Sequence, residues 1–212
     1  MQFASGIFPV EGTALSCISQ NLGRSTGVSV LDDFLPWQGL PLSALTVLEG
    51  PQAAWLARKL VSNSGAGRKS IWIHSLRQRP FFQESESWFR LQVPQESDVL
   101  QALPEIVQDP AFTSVILQVP HPISRPKAFE VLKAVKASDV PVILVCKQPR
   151  SFPWELVELV IEANEDFLSV RKAQNRPVPL WIPVEMLENA KSSGSVDSPM
   201  LSWWNALEPV TG

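Results

Sequence analysis

The sequence predicts an α/β fold: a mainly parallel β-sheet flanked by helices, closed by a C-terminal antiparallel hairpin. Three observations predict it. Residues 113–119 and 140–146 are near-continuous apolar runs, which suits strands buried on both faces. Between such runs lie stretches with apolar residues at helical spacing, and this alternation argues for crossovers onto one sheet. From residue 156 the pattern changes. Runs 156–162 and 167–172, joined by Ala163-Asn164-Glu165-Asp166, read as two strands around a tight turn.

Taken in order, residues 1–24 have no clear period, and Pro9 and Gly12 break any long helix. They read as an arm. It either packs on the domain edge or docks on another subunit, which leaves a homo-oligomer open. Ser25-Thr26-Gly27 is a turn, residues 28–35 are a short segment of mixed polarity, and Gly39-Leu40-Pro41 is a second turn. Residues 45–48 form a strand, and Gly50-Pro51 leads into a helix over 53–62. The Ser64-Gly65-Ala66-Gly67 turn ends that helix.

Residues 70–74 and 89–93 are the next strands. Residues 96–107 carry one apolar stripe of Val99, Leu100, Leu103 and Ile106, and 124–137 form a helix with Ala128, Phe129, Val131, Leu132 and Val135 apolar. Residues 190–199 are rich in Ser and Gly and read as a linker. The organisation is therefore an arm (1–24), one domain (25–187), and a linker with a C-terminal tail (188–212).

The 212 residues suffice for a sizeable core, and 45% hydrophobic content fits a globular chain. A formal charge of −3 gives no global sign of a duplex-gripping protein. Cys17 and Cys146 sit in unlike contexts, and Cys146 ends an apolar run, so it reads as a buried small hydrophobe in a reducing cytosol. No charged-then-apolar signal opens the sequence, and no apolar run nears the length that spans a bilayer. The expectation is a cytoplasmic protein with no membrane contact. The sequence has eight Trp and no Tyr, for which we have no physical account.

A strand, a glycine turn and a helix are the setting of a phosphate loop. Counting G-x-x-x-x-G-K-[ST] from Gly50 puts Trp55 at the second glycine, Leu56 at the lysine and Ala57 at the hydroxyl. An indole, an isobutyl and a methyl supply neither the cation for the β/γ-phosphates nor the Mg²⁺ ligand. Gly50, Pro51, Trp55, Leu56 and Ala57 thus outline a relic loop. Gly65-Ala66-Gly67-Arg68-Lys69-Ser70 looks like the tail of such a loop, but it precedes a strand and reads as a helix stop.

The order "TG…LD", "GLP", strand, "EG" and "GP" resembles the nucleotide-binding core of the RecA family. Residues 169–177, reading SVRKAQNRP, resemble that family's "VVKNR" stretch before a proline and give a second anchor. The resemblance spans roughly residues 25–183. It implies a catalytic carboxylate beyond the second strand, where His74-Ser75-Leu76-Arg77-Gln78 has none. It also implies a metal-holding acid at the end of strand 113–119, where the chain reads Gln118-Val119-Pro120.

Among RecA-like families with eroded motifs, length and opening are most similar to the ImuA-type accessory proteins of damage-induced mutagenesis. The resemblance implies a non-catalytic interaction protein in the SOS response and translesion synthesis. Its implied partners are proteins, namely a RecA-type recombinase or mutagenesis polymerase components. It implies no cofactor and no metal, with DNA contact weak or indirect. A SulA-type division inhibitor acting on a tubulin-like GTPase is one alternative. A RecA-like ATPase with a non-standard site is another, although Lys59 sits three residues too late on the helix.

Three further groups stand out. Arg171, Lys172 and Arg176 form one small basic cluster, read as a solvated hairpin edge, a nucleic-acid or anion contact, or a partner dock. Trp203, Trp204 and Leu207 follow the flexible linker and make an apolar patch. They either fold back on the domain or anchor a partner. His74 has no acid or second ligand near it in sequence and reads as a strand-end residue.

Overall fold

The computed structural model describes residues 23–62, 69–75, 88–119, 121–173 and 180–189. Its elements are α1 (Ser29–Phe34), β1 (Leu45–Glu49), α2 (Ala53–Ser62), β2 (Ser70–Ser75), β3 (Trp88–Val93), α3 (Glu96–Ile106), β4 (Ser114–Val119), α4 (Arg125–Lys136), β5 (Val142–Cys146), β6 (Leu159–Ala163), β7 (Phe167–Ala173), β8 (Leu180–Pro183) and α5 (Val184–Asn189). A single 3₁₀ turn covers Trp154–Leu156. The strands form one eight-stranded sheet in the order β3-β2-β4-β5-β1-β6-β7-β8. β3 through β6 in that order run parallel, and β7 pairs antiparallel with both its neighbours. The architecture is the expected one: a mainly parallel sheet, helices on both faces and a C-terminal antiparallel unit.

The apolar runs become central strands because both their faces are covered. β1 and β5 are buried at every residue. Alternate side chains feed two cores. On one face Leu48, Ile116, Ile143, Val145 and Ile161 pack with Leu56, Ala57 and Leu60 of α2. On the other, Val47, Leu117 and Leu144 pack with Val99 and Leu103 of α3 and Val131 and Val135 of α4. Each fully buried side chain of this size contributes about 1.5–3 kcal/mol relative to exposure.

Residues 28–35 are more regular than their mixed polarity suggests. They contain α1, with Leu31 buried and Asp32 turned back to the preceding turn. Asp32 accepts from the Ser25 hydroxyl (2.6 Å), the Thr26 amide (2.9 Å) and the Thr26 hydroxyl (2.7 Å). The second turn is joined to the first by backbone bonds in both directions between Arg24 and Leu40. Gly39 fits there because a Cβ would lie 2.2 Å from the Arg24 carbonyl oxygen, and its φ of +151° is one that side-chain-bearing residues avoid.

β8 and α5 were not expected from the sequence. Pro177, Pro179 and Pro183 argue against a central strand. β8 escapes that rule as a short strand bonded to β7 alone among the described strands, with Pro183 at its end. The hairpin's first strand also starts later than the apolar run suggests, because residues 154–156 form the 3₁₀ turn. Among the described residues no helix is long and apolar enough to cross a membrane.

Candidate functional site

The carboxyl ends of β5, β1 and β6 lie side by side, and there the chain turns through Gly50-Pro51 into α2. In open parallel sheets this is the edge where ligands bind. The turn itself is tight. The Ala53 amide donates to the Gly50 carbonyl (3.2 Å), and α2 begins three residues after Gly50. The Gly50 amide donates to the Cys146 carbonyl (3.2 Å) and the Gln52 amide to the Ala163 carbonyl (3.1 Å). Two amides of this turn, those of Gly50 and Gln52, are therefore bonded to the ends of β5 and β6, and the Ala53 amide closes the turn on Gly50, so none of the three is turned to an open cradle. Gly50 is required, since its φ is +101° and a Cβ would sit 2.6 Å from the Ala163 oxygen.

The residues at the phosphate-loop positions serve the helix. Leu56 and Ala57 are fully buried in the core under α2. Trp55 is partly buried, and the Lys59 ammonium lies over its ring at 5.6 Å. Gln118, at the position of the expected acid, accepts the Trp72 indole N–H at 2.9 Å. His74 is fully buried near the end of β2, with Nδ1 2.9 Å from the Ser75 carbonyl oxygen.

A polar row crosses the opposite face. Cys146, Glu49, Glu162, Ser169 and Trp181 occupy matching register positions on β5, β1, β6, β7 and β8. The Glu49 carboxylate is fully buried. Its Oε1 accepts the Trp154 indole N–H at 3.0 Å, while Oε2 has no hydrogen-bond partner among the described residues. Burial lifts its pKa above the ordinary carboxylate value. The Arg150 amide, the Trp154 indole and the Ser151 amide oppose that rise, and Glu162 beside it adds to it.

Burial, and then the Glu49 charge, push the Cys146 thiol far above the usual range, so it is a packed hydrophobe with no thiolate character. Glu49 thus holds the β5–β6 connection down on the sheet. That connection lines an open cleft of about 360 Å³ with Ile123, Arg150, Phe152, Pro153, Trp154 and Glu155.

Arg171 and Lys172 come together through a β-bulge. Val160 pairs with Lys172 and Ile161 with Val170, which leaves Arg171 as the extra residue. Leu168, Val170 and Ala173 all enter the core under α2, so both cations turn to the Glu49 face. Each has an internal acceptor there. Arg171 donates through Nε to Glu162 Oε2 at 2.7 Å, and its guanidinium lies 5.2 Å from the Trp181 ring. Lys172 donates to the carbonyls of Trp154 (2.8 Å) and Glu155 (3.3 Å).

Arg176, Trp203, Trp204, Leu207, Cys17 and the arm at 1–22 lie outside the described residues. Sequence reasoning missed Glu49 and Trp154. The available signal was an acid closing an otherwise apolar strand, which is costly unless something holds it.

Among the described residues no group of three or more His, Cys, Asp or Glu side chains is placed to hold a metal ion. No protein-family model matches this chain, and no curated protein matches it.

Proposed function

We propose that this chain is a non-catalytic RecA-like interaction protein, acting in the cytoplasm in DNA damage tolerance in the manner of the ImuA-type accessory proteins. One observation carries the reading. A strand, a glycine turn and a helix keep the outline of a phosphate loop, yet the turn's Gly50 and Gln52 amides bond to Cys146 and Ala163. A phosphate needs such amides, a lysine and a hydroxyl together. Leu56 and Ala57 stand at the last two places and are core residues. The parallel sheet followed by an antiparallel C-terminal unit supports the same reading.

Its work is then done by contact with protein partners, of which a RecA-type recombinase and mutagenesis polymerase components are the ones the resemblance implies. Trp203, Trp204 and Leu207 are the anchor this reading assigns from sequence. DNA contact is weak or indirect. The test has two arms. Calorimetry with millimolar ATP and Mg²⁺ is expected to give no heat of binding, and tight Mg²⁺-dependent binding would return the chain to the ATPases. Purified recombinase and polymerase components are expected to be retained by the full chain and lost on deleting residues 202–212. Retention of a tubulin-like GTPase in their place would favour the division-inhibitor alternative.

A further inference from the structure

The exposed face of α4 is built unlike the other described surfaces. Phe129 is 58% exposed, the largest value among the exposed large hydrophobic side chains described. The other exposed aromatics are partnered. Phe89 packs edge-on against Phe112 and lies under Lys69, and Trp181 packs against Phe167 and lies under Arg171. No ring or cation contact of this kind is described for Phe129.

Around it the helix is cationic. At 100° per residue, Arg125, Lys133 and Lys136 fall within about 40° of Phe129, and Pro126 and Leu132 within about 60°. Glu130, the one acid of α4, lies about 100° away. Ala128, Val131 and Val135 take the buried side. The full chain carries a net charge of −3, so this is a local reversal of sign. Arg125 also pairs with Glu155, but both side chains are more than half exposed, so the contact is weak and exchangeable.

We infer that this face of α4 docks an acidic, helix-forming segment of a protein partner. The charge pattern selects that occupant. Phe129 is the exposed apolar centre, with the Pro126 ring about 60° to one side and Leu132, half-buried against the core, about 60° to the other. Arg125, Lys133 and Lys136 stand closer to Phe129 than either, so the exposed ring is surrounded by cations placed to meet the carboxylates of an amphipathic helix laid across it. An aromatic side chain that a partner can bury, with weaker contacts around it, is the usual core of an interface hot spot. Nucleic acid fits less well, because a strand binds several stacked aromatic side chains along a groove and this face is convex with one ring. The inference does not depend on the damage-tolerance reading and uses none of the residues that reading assigns.

The test is fluorescence anisotropy with the full chain. The probe is a labelled synthetic peptide with Leu at i, i+3, i+4 and i+7 and Glu at the flanking positions. The controls are a scrambled peptide of equal composition and an oligo-dT strand. Binding to the amphipathic peptide is expected to weaken steeply with salt. Phe129→Ala and the charge swap Lys133→Glu/Lys136→Glu should each weaken it at least about tenfold. Lys133→Arg/Lys136→Arg should retain it, and melting should be unchanged because these side chains face solvent. Equal binding of the scrambled peptide would reduce the face to unspecific charge and overturn the proposal. Tighter, Phe129-dependent binding of oligo-dT would overturn it in favour of nucleic acid, and no binding of any probe would leave α4 a solvated helix.

Discussion

The Trp154 indole donates to the Glu49 carboxylate across 3.0 Å, joining residues 105 positions apart. Glu49 ends a central strand and Trp154 starts the 3₁₀ turn of the β5–β6 connection, so this bond ties that connection to the sheet, beside the bonds from Lys172 of β7 to the Trp154 and Glu155 carbonyls. Glu49 is buried, with a pKa raised above 4.5, its ordinary value. A raised folded pKa means that the folded state holds this proton more tightly than the unfolded state. The group's contribution is therefore fully present below the unfolded value and is lost as pH rises through the folded one. Glu49→Gln removes this titration while keeping an oxygen for the indole. Urea melts from pH 4 to pH 8 are expected to show wild-type stability falling relative to the variant as pH rises. A flat difference would show that the carboxylate titrates as it does in water, and wild-type stability rising relative to the variant with pH would show that its pKa is lowered by folding.

Reinstating phosphate-loop chemistry should damage the fold before it creates a site. Leu56 and Ala57 are fully buried under α2. Leu56→Lys puts an ammonium into that core, where it must lose its charge or open the helix. A loss on the order of 4 kcal/mol or more is expected, because charge burial and lost packing add. Leu56→Lys/Ala57→Ser is expected to melt far lower than wild type and to show no ATP binding by calorimetry. A double variant that stays folded and binds Mg-ATP would mean that the Gly50–Ala53 turn opens more readily than its bonds indicate.

Asp32 and Thr26 give the "TG…LD" pattern a structural meaning. Three donors from Ser25 and Thr26 converge on one carboxylate. Asp32→Ala leaves the fully buried Thr26 without that acceptor. About 1–3 kcal/mol is expected to be lost, the range for a buried donor left without its acceptor. Hydrogen exchange should speed up at the Thr26 amide, while β4 and β5 exchange as before. Unchanged exchange at Thr26 would place the brace elsewhere, in the Arg24 and Leu40 backbone pair.

How far the sequence reached follows from which signals are local. The apolar runs of β4 and β5 and the stripe of α3 were legible because burial on both faces, or on one, writes itself into residue order, whereas the apolar positions of α4 include Phe129, which is exposed. β8 was not legible, because a proline such as Pro183 is tolerated only at a strand end or sheet margin, and no local pattern says which of the described strands will be outermost. The Gly50–Ala53 turn was legible as a strand-to-helix turn without phosphate-loop side chains. The partners of its amides were not, since Cys146 and Ala163 are set by register across β5, β1 and β6. Glu49 and Trp154 are joined by tertiary structure alone. The bulge that turns Arg171 and Lys172 to one face leaves one local trace, two polar residues in succession where the strand should alternate, but that break alone does not say which strand carries the extra residue.

That bulge also sets what the two cations do. Arg171 and Glu162 form an ion pair with side chains 31% and 21% exposed, and Glu162 stands in register with Glu49. Arg171→Ala leaves two neighbouring carboxylates without the guanidinium between Glu162 and Trp181. A loss of roughly 1–2 kcal/mol is expected, above the value of a solvent-exposed pair because both groups are partly buried. Adding Glu162→Gln should recover part of that loss, and a double-mutant cycle reads the coupling directly. Lys172→Ala should cost about 1 kcal/mol by releasing the Trp154 and Glu155 carbonyls, with faster exchange confined to the 3₁₀ turn. Retention on DNA at low salt should be measured beside each melt. Internal ties predict that stability falls in both variants while retention changes little. Retention abolished at unchanged stability would assign Arg171 and Lys172 to an anion contact, and the Glu162 and carbonyl bonds would then be resting positions that the ligand replaces.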